Sequence, residues 1–214
     1  MSSSPPSSVR RVSVIVPVKR LDAAKTRTHL SAPERAELTL ALMTRTVSAA
    51  LAAARVAQVI VVAGDDTIAV VARSLGAIAL REPAMAGLNG AIAAGREFAR
   101  REFPEDDIAV VVGDLAEPAA ADLDLAIAQY HRTDTPLAVP DHLGTGTTML
   151  IHGVADDPPL LFGVDSARRH REAGYRLFND APASIRRDVD GPLDLIDVKC
   201  DAHGSSERRL GVTH

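Results

Sequence analysis

The sequence predicts an α/β fold: a mixed, mostly parallel sheet with helices on both faces. Three observations carry that prediction. First, short apolar runs rich in β-branched residues, VSVIVPV at 12–18, QVIVVA at 58–63 and IAVVV at 108–112, are bounded by polar residues and lack polar alternation. Strands buried on both faces, as in a parallel sheet, read this way. Second, from Val12 to Ala128 these runs alternate with helix-patterned segments across connections of a few residues, the grammar of right-handed βαβ crossovers. Third, 214 residues with 46% hydrophobic and 24% charged content suit a single domain with a sizeable core.

The elements follow in order. Residues 1–10, rich in serine and proline, are read as a disordered tail. The first strand, 12–18, runs into a basic loop at 19–27 that carries Lys19, Arg20, Lys25 and Arg27. A helix over 32–55 is announced by Ser31, Pro33 and Glu34, a helix-start signature. The second strand, 58–63, precedes a helix at 66–75 closed by Gly76, and a short strand at 77–80. A helix over 87–103 opens with Asn89-Gly90, and the strand at 108–112 then ends on Gly113-Asp114.

Beyond Pro136 the pattern changes to strands at 136–140 and 147–151, joined by a glycine-bearing turn at 144–146. Residues 162–170 read as a loop entering a short basic helix with Asp165 or Ser166 as its cap. Extended pieces at 175–178 and 185–189 and a last helix from Asp190 complete a single domain over 11–199. Residues 200–214 are read as a loose C-terminal tail.

Composition excludes several classes of function. A formal net charge of -4 argues against non-specific binding to nucleic acid or a membrane surface. No apolar run reaches the roughly 18 residues of a membrane helix, and the N-terminus has no apolar signal core, so a cytoplasmic protein is expected. The single cysteine, Cys200, forms no internal disulfide, and no Cys/His cluster has zinc spacing, so any metal is held by oxygen. His29, His131, His142, His152 and His170 are scattered and read as surface or core histidines.

Asp114 sits at the carboxyl end of a buried strand, where open α/β sheets bind ligands. It is either a metal or substrate ligand or the cap of a following turn. The basic loop faces the same edge and suits a polyphosphate, or is simply solvated. The glycines and threonines of DHLGTGTT at 141–148 suit a phosphate or carboxylate, or form a plain turn. Gly163 and Ser166, before Arg168 and Arg169, could form another anion cradle, or merely a capped surface helix. Asp188 and Asp190, two apart on an extended segment, point to one side and could share a metal, unless Asp190 only caps the final helix. On one sheet edge, these groups suit metal-assisted phosphoryl or nucleotidyl transfer.

Six segments in order and register, PVKRLDAAKTR (17–27), LNGAI (88–92), VVGDL (111–115), DHLGTGTTML (141–150), FGVDSARRH (162–170) and RDVDGPLDL (187–195), resemble the 2-phospho-L-lactate / phosphoenolpyruvate guanylyltransferases of coenzyme F-420 biosynthesis. The resemblance implies a glycosyltransferase-A-like, Rossmann-like nucleotidyltransferase fold. The implied reaction joins GTP to phosphoenolpyruvate or 2-phospho-L-lactate with release of pyrophosphate.

It also implies the roles of individual residues. Thr148, with Thr147 adjacent, Gly163 and Ser166 hold the acceptor. Lys19, Lys25 and Arg27 cradle the triphosphate, and Asn89 helps hold the guanosine. Asp114, Asp188 and Asp190 hold Mg2+, with Asp114, Lys25 and Asp188 at the centre of the chemistry. A homodimer is a further expectation.

Two positions depart from the family pattern: Ala116-Glu117 stands where proline and an apolar residue usually follow GDL, and His142 stands where arginine usually precedes LGTGT. Two rival expectations accompany this one, a nucleotidyltransferase of the same fold with another acceptor and a catalytically silent nucleotide-binding homologue.

Overall fold

The computed structural model describes residues 10–22, 30–84 and 87–189. The elements run β1 (Val12–Val18), α1 (Ala32–Ala52), β2 (Val56–Ala63), α2 (Asp66–Ser74), β3 (Ile78–Arg81), α3 (Gly87–Glu102), β4 (Asp107–Val111), α4 (Ala120–His131), β5 (Leu137–Pro140), β6 (Thr147–His152), α5 (Ser166–Glu172) and β7 (Arg176–Leu177). A 3-10 turn follows at Ala183–Ile185. Of the expected tails, all but Arg10 lie outside the described residues, as does the last helix from Asp190. Arg10 corrects the reading of 1–10 as a tail: its guanidinium pairs with Asp107, at 2.7 Å, and with Asp134.

All seven strands form one sheet in the order β3-β2-β1-β4-β6-β5-β7. β1 is flanked by parallel β2 and β4, whereas β6 runs antiparallel to both β4 and β5. The chain leaves β1 toward β2 and β3 and comes back on its other side as β4. This reversal opens a crevice at the carboxyl ends of β1 and β4.

Alternation within the strands sorts the core into two layers. Val12, Val14, Val16 and Val18 of β1 face the layer that holds Met43 and Val47 of α1, Ile68 of α2 and Leu123 and Ile127 of α4. Ile15, Ile60 and Val62 face the other layer, with Ala91 and Ile92 of α3, Phe162 and Tyr175. Sheet faces covered on both sides explain why the sequence shows unbroken apolar runs instead of alternation. Gly95 lets α3 come close, since a Cβ there would lie 2.7 Å from the Ile15 side chain.

α1 stops three residues short of the expected end at Arg55. There the chain turns onto α4, and the backbone N–H groups of Ala54 and Arg55 donate to the Asp124 carboxylate at 2.9 and 2.7 Å.

Candidate active site

The crevice is built by close backbone approach. A Cβ on Gly113 would sit 3.0 Å from Val18 Cγ2 and 3.1 Å from the Pro17 carbonyl, so the glycine lets the turn after β4 lie closely on the end of β1. Beside it the start of β6 is joined on by Val112 N–H donating to the Thr148 carbonyl at 2.9 Å.

Asp114, half-buried, lies in this turn, and the chain near the end of the described residues returns to pair with it. Leu115 and Asp188 form an antiparallel bridge, in which Val189 N–H donates to the Asp114 carbonyl at 3.0 Å and Ala116 N–H to the Arg187 carbonyl at 2.9 Å. Val189 is fully buried against Leu42 and Ala116, so Asp188, next to it on extended chain, turns the other way. Arg45 of α1 donates to the Ala116 carbonyl at 3.1 Å and steadies the turn. Two carboxylates 74 positions apart thus belong to neighbouring backbones. The alanine at 116, where the resemblance expects proline, supplies one of the joining bonds, and a proline has no N–H to give. Asp190 lies outside the described residues, and among the described residues no three His, Cys, Asp or Glu gather as a metal cluster.

Lys19 is exposed at the end of β1, and Arg20 beyond it pairs with Asp22 at 3.0 Å. Lys25 and Arg27 lie outside the described residues. The root of this basic loop is held by a residue the sequence reading passed over. Asp65 accepts from Leu21 N–H through Oδ2 and caps α2 by accepting from Ile68 N–H through Oδ1, both at 3.0 Å. The signal was available, an aspartate between a strand-ending glycine and a helix. Gly64 before it is obligatory, because a Cβ there would meet Arg20 N at 2.3 Å.

On the acceptor side, two readings are corrected. The glycine-threonine turn is not an open anion cradle: the Asp141 carboxylate already takes its amides, accepting from Thr145 N–H at 2.9 Å and Gly146 N–H at 2.8 Å. The Thr148 hydroxyl is fully buried and donates to the Ile185 carbonyl at 2.6 Å, so it is turned away from the crevice. Asn89 spends its amide on protein: Nδ2 donates to the Phe162 carbonyl at 3.1 Å and Oδ1 accepts from Phe162 N–H at 3.0 Å. That pair of hydrogen bonds ties the start of α3 to the loop before α5.

Gly163 is exposed with φ +129°, a backbone suited to glycine, and Asp165 adopts φ 53°. Asp165 occupies the cap position of α5 but makes no side-chain cap bond, and Ser166 is no cap either. The Ser166 hydroxyl points inward, 3.1 Å from Thr147 Oγ1, which lies 3.0 Å from His170 Nδ1. Arg168 is engaged by Glu172 at 3.0 Å and Asp165 at 3.6 Å. The short arch 163–165 is thus pinned at Phe162 and at Ser166, with Val164 at its exposed crest.

Residues 12–204 match the family model described as guanylyl transferase CofC like. The chain belongs to this family. Phosphoenolpyruvate guanylyltransferase of Mycolicibacterium gilvum is 41% identical over 194 residues, covering 86% of this chain and 87% of that protein. The protein of the same name from Streptomyces coelicolor is 39% identical over 186 residues, covering 85% and 87%. A nucleotidyl transferase structure from Methanothermobacter thermautotroptrophicus superposes with a TM-score of 0.62 at 15% identity, covering 92% of this chain and 99% of that one, which shows the shared fold. In this CofC-like chain the mixed sheet and the crevice beside β1 are therefore the family's nucleotidyltransferase frame.

Proposed function

We propose that the protein joins GTP to phosphoenolpyruvate and releases pyrophosphate, giving enolpyruvyl-diphospho-guanosine for deazaflavin coenzyme F-420 biosynthesis. Family membership and the names of its relatives support the reaction class. The observation that carries the reading is the pairing of the Asp188 segment with the turn holding Asp114, at the point where the strand order reverses.

The donor set fits a hard divalent cation. Carboxylates with no thiol or imidazole gathered beside them, among the described residues, suit Mg2+, which keeps several waters and leans on substrate phosphates for the rest of its coordination. Asp114 and Asp188 would hold it, with Asp190 next along the chain. A cation held there would supply charge neutralisation for the phosphoryl transfer.

The remaining work is positional. The phosphate of the acceptor has its second pKa at about 6, so it is already a nucleophilic dianion at neutral pH and needs no general base. Lys19, with Lys25 and Arg27, is assigned to the triphosphate and to the charge of departing pyrophosphate. The arch with Gly163 and Ser166 is assigned to the acceptor.

The test is pyrophosphate release from GTP and Mg2+ with each acceptor in turn. Release with phosphoenolpyruvate is the expected result. Release with 2-phospho-L-lactate alone would reverse the acceptor, and GTP binding without release for any acceptor would favour the silent homologue.

A further inference from the structure

We propose that His170 is a positioning residue for the acceptor arch, holding residues 161–166 against the start of β6 through one imidazole of fixed polarity. The proposal rests on the reading that this arch takes the acceptor.

Four observations carry it. His170 is fully buried and spans two segments that are far apart in sequence. Leu161 N–H donates to Nε2 at 3.0 Å, and Nδ1 lies 3.0 Å from Thr147 Oγ1. An amide N–H can only donate, so Nε2 must carry the lone pair and the neutral ring must carry its proton on Nδ1. Nδ1–H therefore donates to Thr147 Oγ1, and the Ser166 hydroxyl meets that same oxygen at 3.1 Å. The imidazole thus dictates how the two hydroxyls at the foot of the arch are aligned.

The ring itself is held by apolar edges, with Phe162 and Tyr175 in edge-to-face contact at 5.3 and 5.0 Å between centroids. These partners, with Thr147 and Ser166, carry no charge at neutral pH, while Arg169 on the same helix opposes a second proton. Burial is the larger cause and pushes the imidazole down to about 4, against a backbone hydrogen bond with Ser166 that favours the charged ring. A second proton would also set an N–H of the ring against the N–H of Leu161. A bond between Ala167 N–H and the Thr145 carbonyl, at 3.0 Å, runs alongside and keeps the two segments adjacent when the ring is altered.

His170→Phe fills the same apolar slot without either hydrogen bond, and His170→Asn restores a donor toward Thr147. The expected result for His170→Phe is a KM for phosphoenolpyruvate raised at least tenfold, with the KM for GTP within twofold and kcat changed less than the acceptor KM. His170→Asn should recover a large part of that loss. Equal changes in both KM values, or none in a folded His170→Phe protein, would overturn the proposal.

If His170→Phe fails to fold, Thr147→Val, which removes the partner oxygen at constant shape, must show the same split between acceptor and GTP. Independently, ¹⁵N NMR of the imidazole should find the Nδ1-protonated tautomer between pH 6 and 8, and an Nε2-protonated ring would refute the geometry. Wild-type protein that releases no pyrophosphate with either acceptor defeats the functional reading and the acceptor role with it, while the tautomer measurement still decides the geometry.

Discussion

The two ends of the sheet solve the same problem in different ways. At the amino end, polar side chains are closed on one another. Asp107, buried, takes Arg10 at 2.7 Å and His131 Nε2 at 3.0 Å, and the Arg10 guanidinium also pairs with Asp134 and covers the Tyr130 ring at 5.7 Å. Beside it Asp106 Oδ2 accepts from Ser13 Oγ at 2.9 Å and from Gln58 Nε2 at 3.1 Å.

At the carboxyl end, closure is made mostly by backbone: the bridge between Leu115 and Asp188, the amides of the 141–146 turn, and the amides of Leu21 and Ile68 on Asp65. There a carboxylate shapes a loop, or, like Asp114 and Asp188, sits on a loop that other atoms hold. One end uses charge to fasten strands together, and the other uses carboxylates and backbone to set the shape of its loops.

Substitutions at each end should separate turnover from stability. The largest expected effect is Asp114→Asn, which keeps shape and removes a charge: turnover falls on the order of 100-fold, about 2.7 kcal/mol of barrier. The variant should remain folded, and an unfolded or fully active variant would refute the assignment.

Next, Asp107→Ala at the opposite end strips Arg10 and His131 of their shared partner and should cost about 2 kcal/mol in denaturant unfolding, with both KM values unchanged. Gly64→Ala comes third. Its Cβ has no room against Arg20 N, so the root of the basic loop must shift. A several-fold rise in KM for GTP is expected, with a stability loss of about 1 kcal/mol.

The smallest effect near neutrality is on pH dependence. Burial drives His152 and His170 down to about 4 in the folded protein, below the 6.5 of an unfolded histidine. The unfolded chain therefore binds more protons between these values, so stability rises with pH from 4 to 6.5 and is level for these groups above that. Thermal midpoints measured across pH 4–8 should fall on the acid side of about 6, and a histidine-to-phenylalanine change at position 152 should flatten that slope. A loss of stability on the alkaline side instead would contradict the burial of both rings.

Much of the frame was legible because parallel strands leave an unambiguous signature. β1, β2 and β4 were found from apolar runs alone, and the carboxyl edge followed from topology. What failed was reading chemistry from loop composition. Asp141 to Gly146 looks like an anion cradle because glycine amides attract anions, and they do, but the anion is the turn's own aspartate. Thr148 was misplaced for a related reason, since a hydroxyl in a strand can face the core if a carbonyl, here that of Ile185, waits for it. The Asn89 contact with Phe162, 73 residues away, could not be read from the sequence, because no local pattern spans that distance. Asp188 was legible as a candidate, but its pairing with the turn after β4 was not, because one isolated bridge leaves no periodic trace.

The Asp141 clasp has a consequence for how this molecule can change. A turn latched at its base by its own carboxylate has an apex with no structural duty: His142 is exposed, and Leu143 beyond it is 71% exposed. Such an apex can be rewritten without disturbing the sheet. A change at His142, on that apex, is then one the fold does not register, so this stretch of sequence can vary while the architecture stays constant.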